Sequence, residues 1–325
     1  MGCATKNVKV ITIALGSLQR FIALRAVSLS AIPAIIQTMN DCMSQGVDIQ
    51  LKILQTLLSL ITNFPAIHGR LLANVRTSIL CYLCLDGWTV KQALLLCFKL
   101  HESRTAVVSS TAAATLRQLV MFVVDKVAEE DRRMMLANEL ESITLPDGTT
   151  QALGPAARDA FAIFEDLCLL GNGESPQFLE LEYLHKTFAL ELIESVLTNY
   201  HELFRKVHFS SFSIRVVLTL SSSPQHPELL LLLQHHLFPL LLKTLSERSP
   251  FPLALRGTRV VFLLLKQFSA ELETEAEVFL TLLIKLISGE TEAGEPRPAW
   301  MRVLAMEIMR GCVPLYLISG TLTYR

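Results

Sequence analysis

Long apolar runs, one-signed charge and catalytic spacing are what this 325-residue chain has least of. No stretch of 18 or more consecutive apolar residues occurs. The longest charge-free run in the middle, 53–69, is broken by Gln55, Thr56, Ser59, Thr62, Asn63 and Pro65. A membrane span needs about 20 predominantly apolar residues, so the high apolar content, 51%, is assigned to buried faces and to surface that a partner covers. Charge is nearly balanced, with 29 basic and 30 acidic residues and no long block of one sign. Phosphate binding needs clustered Lys and Arg, so nucleic acid is excluded as the main ligand. No signal-peptide pattern opens the sequence. The seven cysteines are scattered through apolar stretches, as in a reducing compartment, and a cytoplasmic location is expected.

Catalytic arrangements are missing in the same way. There is no glycine loop to cradle phosphate, no nucleophile elbow, and no carboxylate pair framed by a pocket-like pattern. The expectation is a protein that is not an enzyme, with no catalytic, cofactor-binding or metal residues and no cofactor. The sharpest chemical spacing is Cys81-x2-Cys84-x12-Cys97-x3-His101, a zinc-ligand count. Cys97 and His101, however, sit in a leucine-rich helical pattern with no hairpin before it, so buried, unrelated cysteines are the reading adopted. Met1-Gly2-Cys3 has the look of an acylation signal, but position 6 is Lys6 where the motif asks for Ser or Thr. His235 and His236 are adjacent, which turns them about 100° apart on a helix, and they are placed on a solvated edge. Glu129-Glu130-Asp131-Arg132-Arg133 reads as a solvent-facing turn.

What the sequence does have is helical periodicity. Residues 51–63 carry Leu54, Leu57, Leu58 and Ile61 on one stripe, with Gln55, Ser59 and Asn63 off it. Residues 187–204 align Phe188, Leu192, Val196 and Tyr200, with Glu191, Glu194 and Glu202 elsewhere. Such stripes must be buried against neighbouring helices. The predicted fold is all-α, an irregular HEAT- or armadillo-like solenoid of helix pairs. Pro33 and Pro239 are expected to kink helices from inside. Breaks fall at 145–155 (a polar loop with two turn signals), 171–176 and 288–298. The first divides the chain into blocks 1–142 and 155–325.

Two segments, 75–92 and 207–225, interrupt the pattern with β-branched and Ser-rich sequence. Each begins with Val, whose codons start GT, and ends with Gln, one of whose codons is CAG. These are the letters that bound an intron, and both segments are expected to be retained-intron insertions.

Residues 17–69, 106–133, 187–206 and 226–310 resemble the N-terminal region of the Mon-two-like family, peripheral Golgi and endosome scaffolds related to the large Arf guanine-nucleotide exchange factors. The resemblance implies that 1–142 is a dimerisation and cyclophilin-binding-like domain, N-terminally truncated. It implies that 155–325 is a domain of the kind named for homology upstream of Sec-seven, C-terminally truncated, with 312–325 as read-through. It further implies a scaffold in vesicle-mediated protein transport, peripheral on late Golgi and endosomal membranes. The implied partners are a second copy of the chain by self-association, a Dopey-type protein and an Arf-like small GTPase. No basic amphipathic helix is read from the sequence, so membrane contact is expected to be indirect. The competing readings are the regulatory region of an Arf-type exchange factor and a HEAT-type transport adaptor. Partner-binding residues are not legible.

Overall fold

The computed structural model describes residues 7–63, 86–133, 140–204, 226–289 and 298–319. Its elements in order are α1 (Val8–Ala23), α2 (Ile32–Asp41), α3 (Val47–Asn63), α4 (Asp86–His101), α5 (Ala106–Arg133), β1 (Glu141–Thr144), β2 (Thr150–Leu153), α6 (Pro155–Asn172), α7 (Lys186–Phe204), α8 (Pro227–Leu232), α9 (Phe238–Ser246), α10 (Phe251–Gln267), α11 (Glu273–Ser288) and α12 (Ala299–Ser319). Among the described residues the fold is all-α apart from one two-stranded hairpin. The chain divides into two compact units. The first holds 1–141, 152–160 and 178–180, and the second 142–151, 161–177 and 181–325.

In the first unit α3 is the central helix. It buries Ile49, Ile53, Leu54, Leu57, Leu60 and Ile61 and takes α1 and α5 against it, while α4 packs on α5 and α2 on α4. Leu58, placed on the core stripe by its spacing, is only half-buried and turns to the surface instead. α1 is started by Asn7, whose side chain accepts the Lys9 backbone N–H at 3.1 Å, a cap on an otherwise orphaned donor. It ends in a left-handed residue at Arg25, φ 54°. There Ala26 N–H bonds Phe21 C=O and Arg25 N–H bonds Ile22 C=O, both at 2.9 Å. That is the pairing of a Schellman ending, whose left-handed position usually holds glycine.

The second unit is built around α10. Ala254, Gly257, Val260, Val261, Leu264 and Leu265 are buried against α7, α9, α11 and α12. Gly257 belongs there for space: a Cβ would lie 3.1 Å from the Thr244 methyl of α9. Phe204 meets Phe164 and Phe268 with ring centroids 5.6 and 6.0 Å apart, and Phe238 meets Phe279 at 4.9 Å. Tilted and edge-on aromatic pairs of this kind add to simple area burial. α6 ends on Gly173, φ 84°, with Glu174 N–H bonded to Leu169 C=O at 2.8 Å.

Several sequence expectations are corrected here. Pro33 lies in the first turn of α2, where a missing N–H costs nothing, whereas Pro239, as expected, lies inside a continuous helical run, 227–246, and disturbs it. The irregularity near Pro239 is the π-helical turn Leu233–Leu237 that precedes α9. The polar loop at 145–155 carries the hairpin: Gly148 N–H bonds Leu145 C=O at 2.9 Å, with Gly148 at φ 83°. Pro146-Asp147-Gly148 is thus a β-turn closed by a left-handed glycine. Of segment 75–92, residues 86–92 form the first turns of α4, with Val90 buried. Residues 75–85 and 207–225 lie outside the described residues, as does much of the linker at 288–298.

Two described stretches, Ala106–Asp131 and Pro227–Ser246, are long and apolar enough on average to cross a membrane. In α5 the apolar positions Val108, Ala112, Leu116, Leu119, Val123 and Val127 lie on one buried face with Arg117, Asp125 and Lys126 among them in sequence. That is the pattern of a helix packed on protein.

Candidate interaction surface

The first unit carries an open groove of about 570 Å³ between α1, α3 and α5. Its floor and walls are Gln19 from α1, Gln55, Leu58, Ser59, Ile61 and Thr62 from α3, and Gln118, Leu119 and Phe122 from α5. The groove exists because α1 and α5 both pack on α3. The α3 residues between them, at a spacing of three or four (Gln55, Leu58, Ser59, Thr62), are left uncovered. No lining residue is charged. Three amides offer donors and acceptors beside apolar Leu58 and Phe122, so the groove suits an uncharged helix or extended segment that brings apolar side chains and backbone polar groups. The sequence stripe put Leu58 in the core and left Gln55 and Ser59 merely off it. Only the packing of α1 and α5 shows that they share a concave surface.

The polar clusters of the molecule are structural. Glu130, expected to face solvent, reaches across to the start of α6, accepting from the backbone N–H of Ala156 at 3.2 Å and of Ala157 at 3.0 Å. A carboxylate there meets the positive end of the helix and two orphan donors. The approach is so close that a Cβ on Gly154 would lie 2.5 Å from the Glu130 carboxyl carbon. Lys91 donates to Glu180 at 2.7 Å, which holds the Glu180 carboxyl below its ordinary range. In the second unit His226 Nδ1 and Glu228 Oε1 are 2.6 Å apart and buried, and Gln151 donates to the other Glu228 oxygen at 2.9 Å. Arg256 of α10 grips Glu194 at 2.8 Å and Glu191 at 3.2 Å on α7. These residues stand off the apolar stripe of α7 because they tie it to α10.

The sequence candidates for metal or acylation fall only partly within the described residues. Cys81, Cys84 and Met1-Gly2-Cys3 lie outside the described residues. Cys97 is fully buried, and burial raises its thiol well above the ordinary range, which favours the neutral form over the thiolate a metal needs. Cys168 is raised likewise, and Cys312 is pushed up to about 11. His235 is exposed, while His236 is half-buried with Nε2 3.5 Å from Glu165 Oε1, so the adjacent histidines diverge. Among the described residues no group of three or more His, Cys, Asp or Glu is arranged to hold a metal ion.

Comparison with known proteins finds two family domains. Residues 156–314 match the Mon2/Sec7/BIG1-like HUS domain. The Mon2/Sec7/BIG1-like dimerisation and cyclophilin-binding domain matches in two pieces, 1–85 and 75–131. The chain is 32% identical to the MON2 homologue of Xenopus laevis and 32% identical to that of Homo sapiens, in each case over 98% of this chain and 17% of the relative. Identity to MON2 of Saccharomyces cerevisiae is 25% over 95% of this chain. The chain thus spans about a sixth of the length of the curated relatives it matches.

Proposed function

The chain belongs to the Mon2/Sec7/BIG1-like family, and from that premise we propose that it is a non-enzymatic scaffold in vesicle-mediated protein transport between Golgi and endosomes. The observation that carries the reading is the succession of the two family domains, residues 1–131 followed by 156–314, across nearly all of the chain. The scaffold works by surface recognition, and its site in the first unit is the uncharged groove between α1, α3 and α5. That unit's match to a dimerisation and cyclophilin-binding domain supports self-association and a peptide or helix as the groove's guest. A Dopey-type protein and an Arf-like GTPase are the further partners proposed, and a peripheral position on late Golgi and endosomal membranes is the proposed location. The regulatory region of an Arf-type exchange factor is the second reading, favoured by the Sec7 and BIG1 members of the same family model. The MON2 names of the relatives support the first.

Light scattering of the purified chain tests the reading. A mass near twice 36.2 kDa that falls toward the monomer on dilution is expected. A constant monomer over a tenfold range of micromolar concentration contradicts self-association. Diffuse distribution of the tagged chain in cells contradicts the proposed location.

Segments 75–92 and 207–225 stay proposed as insertions, although residues 86–92 are helical and the second piece of the family match begins at 75. Sequencing the transcript tests both segments.

A further inference from the structure

The connection between α6 and α7, residues 173–185, runs without helix or strand. Irregular segments of about a dozen residues inside a compact fold commonly carry function. Its start is held in place all the same. Glu174 N–H bonds Leu169 C=O at 2.8 Å, and Gln177 N–H bonds Oδ1 of fully buried Asp166 at 2.6 Å. Between these two anchors stands Ser175, exposed and followed by Pro176, and its hydroxyl makes no hydrogen bond with a described residue. The chain has three Ser-Pro pairs, beginning at Ser175, Ser223 and Ser249. Ser223 lies outside the described residues. Ser249 is half-buried, and its hydroxyl is given to Thr244 C=O at 2.8 Å across the turn from α9 to α10. The same dipeptide is thus open at one place and engaged at another.

We propose that Ser175 is a phosphorylation site for a proline-directed serine/threonine kinase, and that its phosphate is held by Lys186 at the start of α7. A kinase of this class takes its substrate as an extended segment and selects the proline that follows the acceptor hydroxyl. The residue before a proline is biased to extended backbone, and Gly173, Glu174 and Gln177 around Ser175 are exposed, so the hydroxyl is reached without undoing a side-chain contact of its own. At Ser249 the bond to Thr244 must be given up first. In the transfer, Ser175 Oγ attacks the γ-phosphorus of ATP and the bond from that phosphorus to the β–γ bridging oxygen breaks. ADP leaves with the electron pair, and the hydroxyl proton passes to the kinase's carboxylate base. The product carries close to two negative charges on the loop. The Lys186 ammonium stands over the same loop, since a Cβ on Gly173 would lie 3.7 Å from Lys186 Nζ. Ser175 is two residues further on, at most about 7 Å of chain, which is inside the roughly 8 Å screening length of physiological salt. No ion pair with a described residue occupies Lys186. Lys186 also opens α7, so the positive end of that helix adds to the attraction. Glu174 opposes it from the next position, but its carboxylate is turned to the side-chain amide of Asn172. Phosphate on Ser175 therefore ties the loop to the start of α7.

Incubation of the full chain with ATP and a proline-directed kinase of the mitogen-activated class, read by peptide mass spectrometry, tests the site. Phosphate is expected on Ser175 first, with Ser249 at least about fivefold slower, the factor that one net hydrogen bond sets. S175A removes the fast incorporation and leaves helical circular dichroism at the wild-type value. A synthetic peptide of residues 170–182 serves as the unfolded control and is phosphorylated at a rate similar to that of the chain. Absence of phosphate on Ser175 of the chain, whether or not the peptide is modified, overturns the proposal. So does Ser249 leading Ser175, or wild-type incorporation by S175A. Phosphorus NMR of the phosphorylated chain reads the part assigned to Lys186. The second ionisation of the phosphate, ordinarily at about pH 6, is expected below that value, because a neighbouring cation favours the dianion, and K186Q returns it toward the ordinary value. An identical titration in K186Q overturns the assignment of the phosphate to Lys186.

Discussion

α1 and α10 are both apolar helices, and they meet opposite fates. α10 is packed by four other helices and ends at Phe268, fully buried and in edge contact with Phe204. α1 is apolar on two faces and has α3 as its main neighbour, so that Phe21 and Leu24 stand in solvent. Hydrophobicity alone does not separate the two. What does is the number of neighbours each face finds, and with it whether an apolar side chain stabilises the fold or serves as surface for something outside it.

The largest expected effect breaks that comparison if it fails. Phe268→Ala empties a fully buried site and should cost about 3–5 kcal/mol, whereas Phe21→Ala on the open face of α1 should change stability by less than about 0.5 kcal/mol. Denaturant melts of the two variants measure both. Next comes Glu130→Ala, which removes the carboxylate that satisfies Ala156 and Ala157. It should cost about 1–2 kcal/mol, with Glu130→Gln recovering part of the loss. Arg25→Gly goes the other way and should stabilise the chain by about 1 kcal/mol, because glycine bears no penalty at a positive φ.

The smallest effect is alkaline. Cys312 sits among buried groups with its thiol raised to about 11. The unfolded thiol loses its proton first, near pH 9, so above that point the unfolded state binds fewer protons and stability falls. Melting midpoints should therefore decline from about pH 9 to 11, and replacing Cys312 with Ala should remove its share of that decline, the rest coming from Cys97 and Cys168, which burial raises likewise.

The helices were legible because each long segment repeats its apolar residues at three and four, and Phe188, Leu192 and Val196 are buried as their spacing implies, while Tyr200, the last of that stripe, is only half-buried at a kink, φ −125°. The hairpin was half legible: Pro146-Asp147-Gly148 announces a turn, but strands of four residues, Glu141–Thr144 and Thr150–Leu153, are too short to show alternation. The role of Glu130 was hidden because the backbone it caps lies 26 and 27 residues away, and no local pattern encodes that meeting. The groove was hidden for the same reason, since Leu58 and Phe122 share it only once α1 and α5 have docked on α3. The face of α1 was missed differently. A helix apolar on two sides gives little contrast around its circumference, so spacing cannot say which side a neighbour covers.

Side-chain footprinting with hydroxyl radicals, read by mass spectrometry, reports on that question most directly. Phe21 and Leu24 should be labelled in this chain, while Phe268 and Phe279 stay protected. Phe21 and Leu24 protected at low concentration, or Phe268 and Phe279 labelled as readily as they are, would contradict the account of α10 as packed on every side and α1 as packed on one.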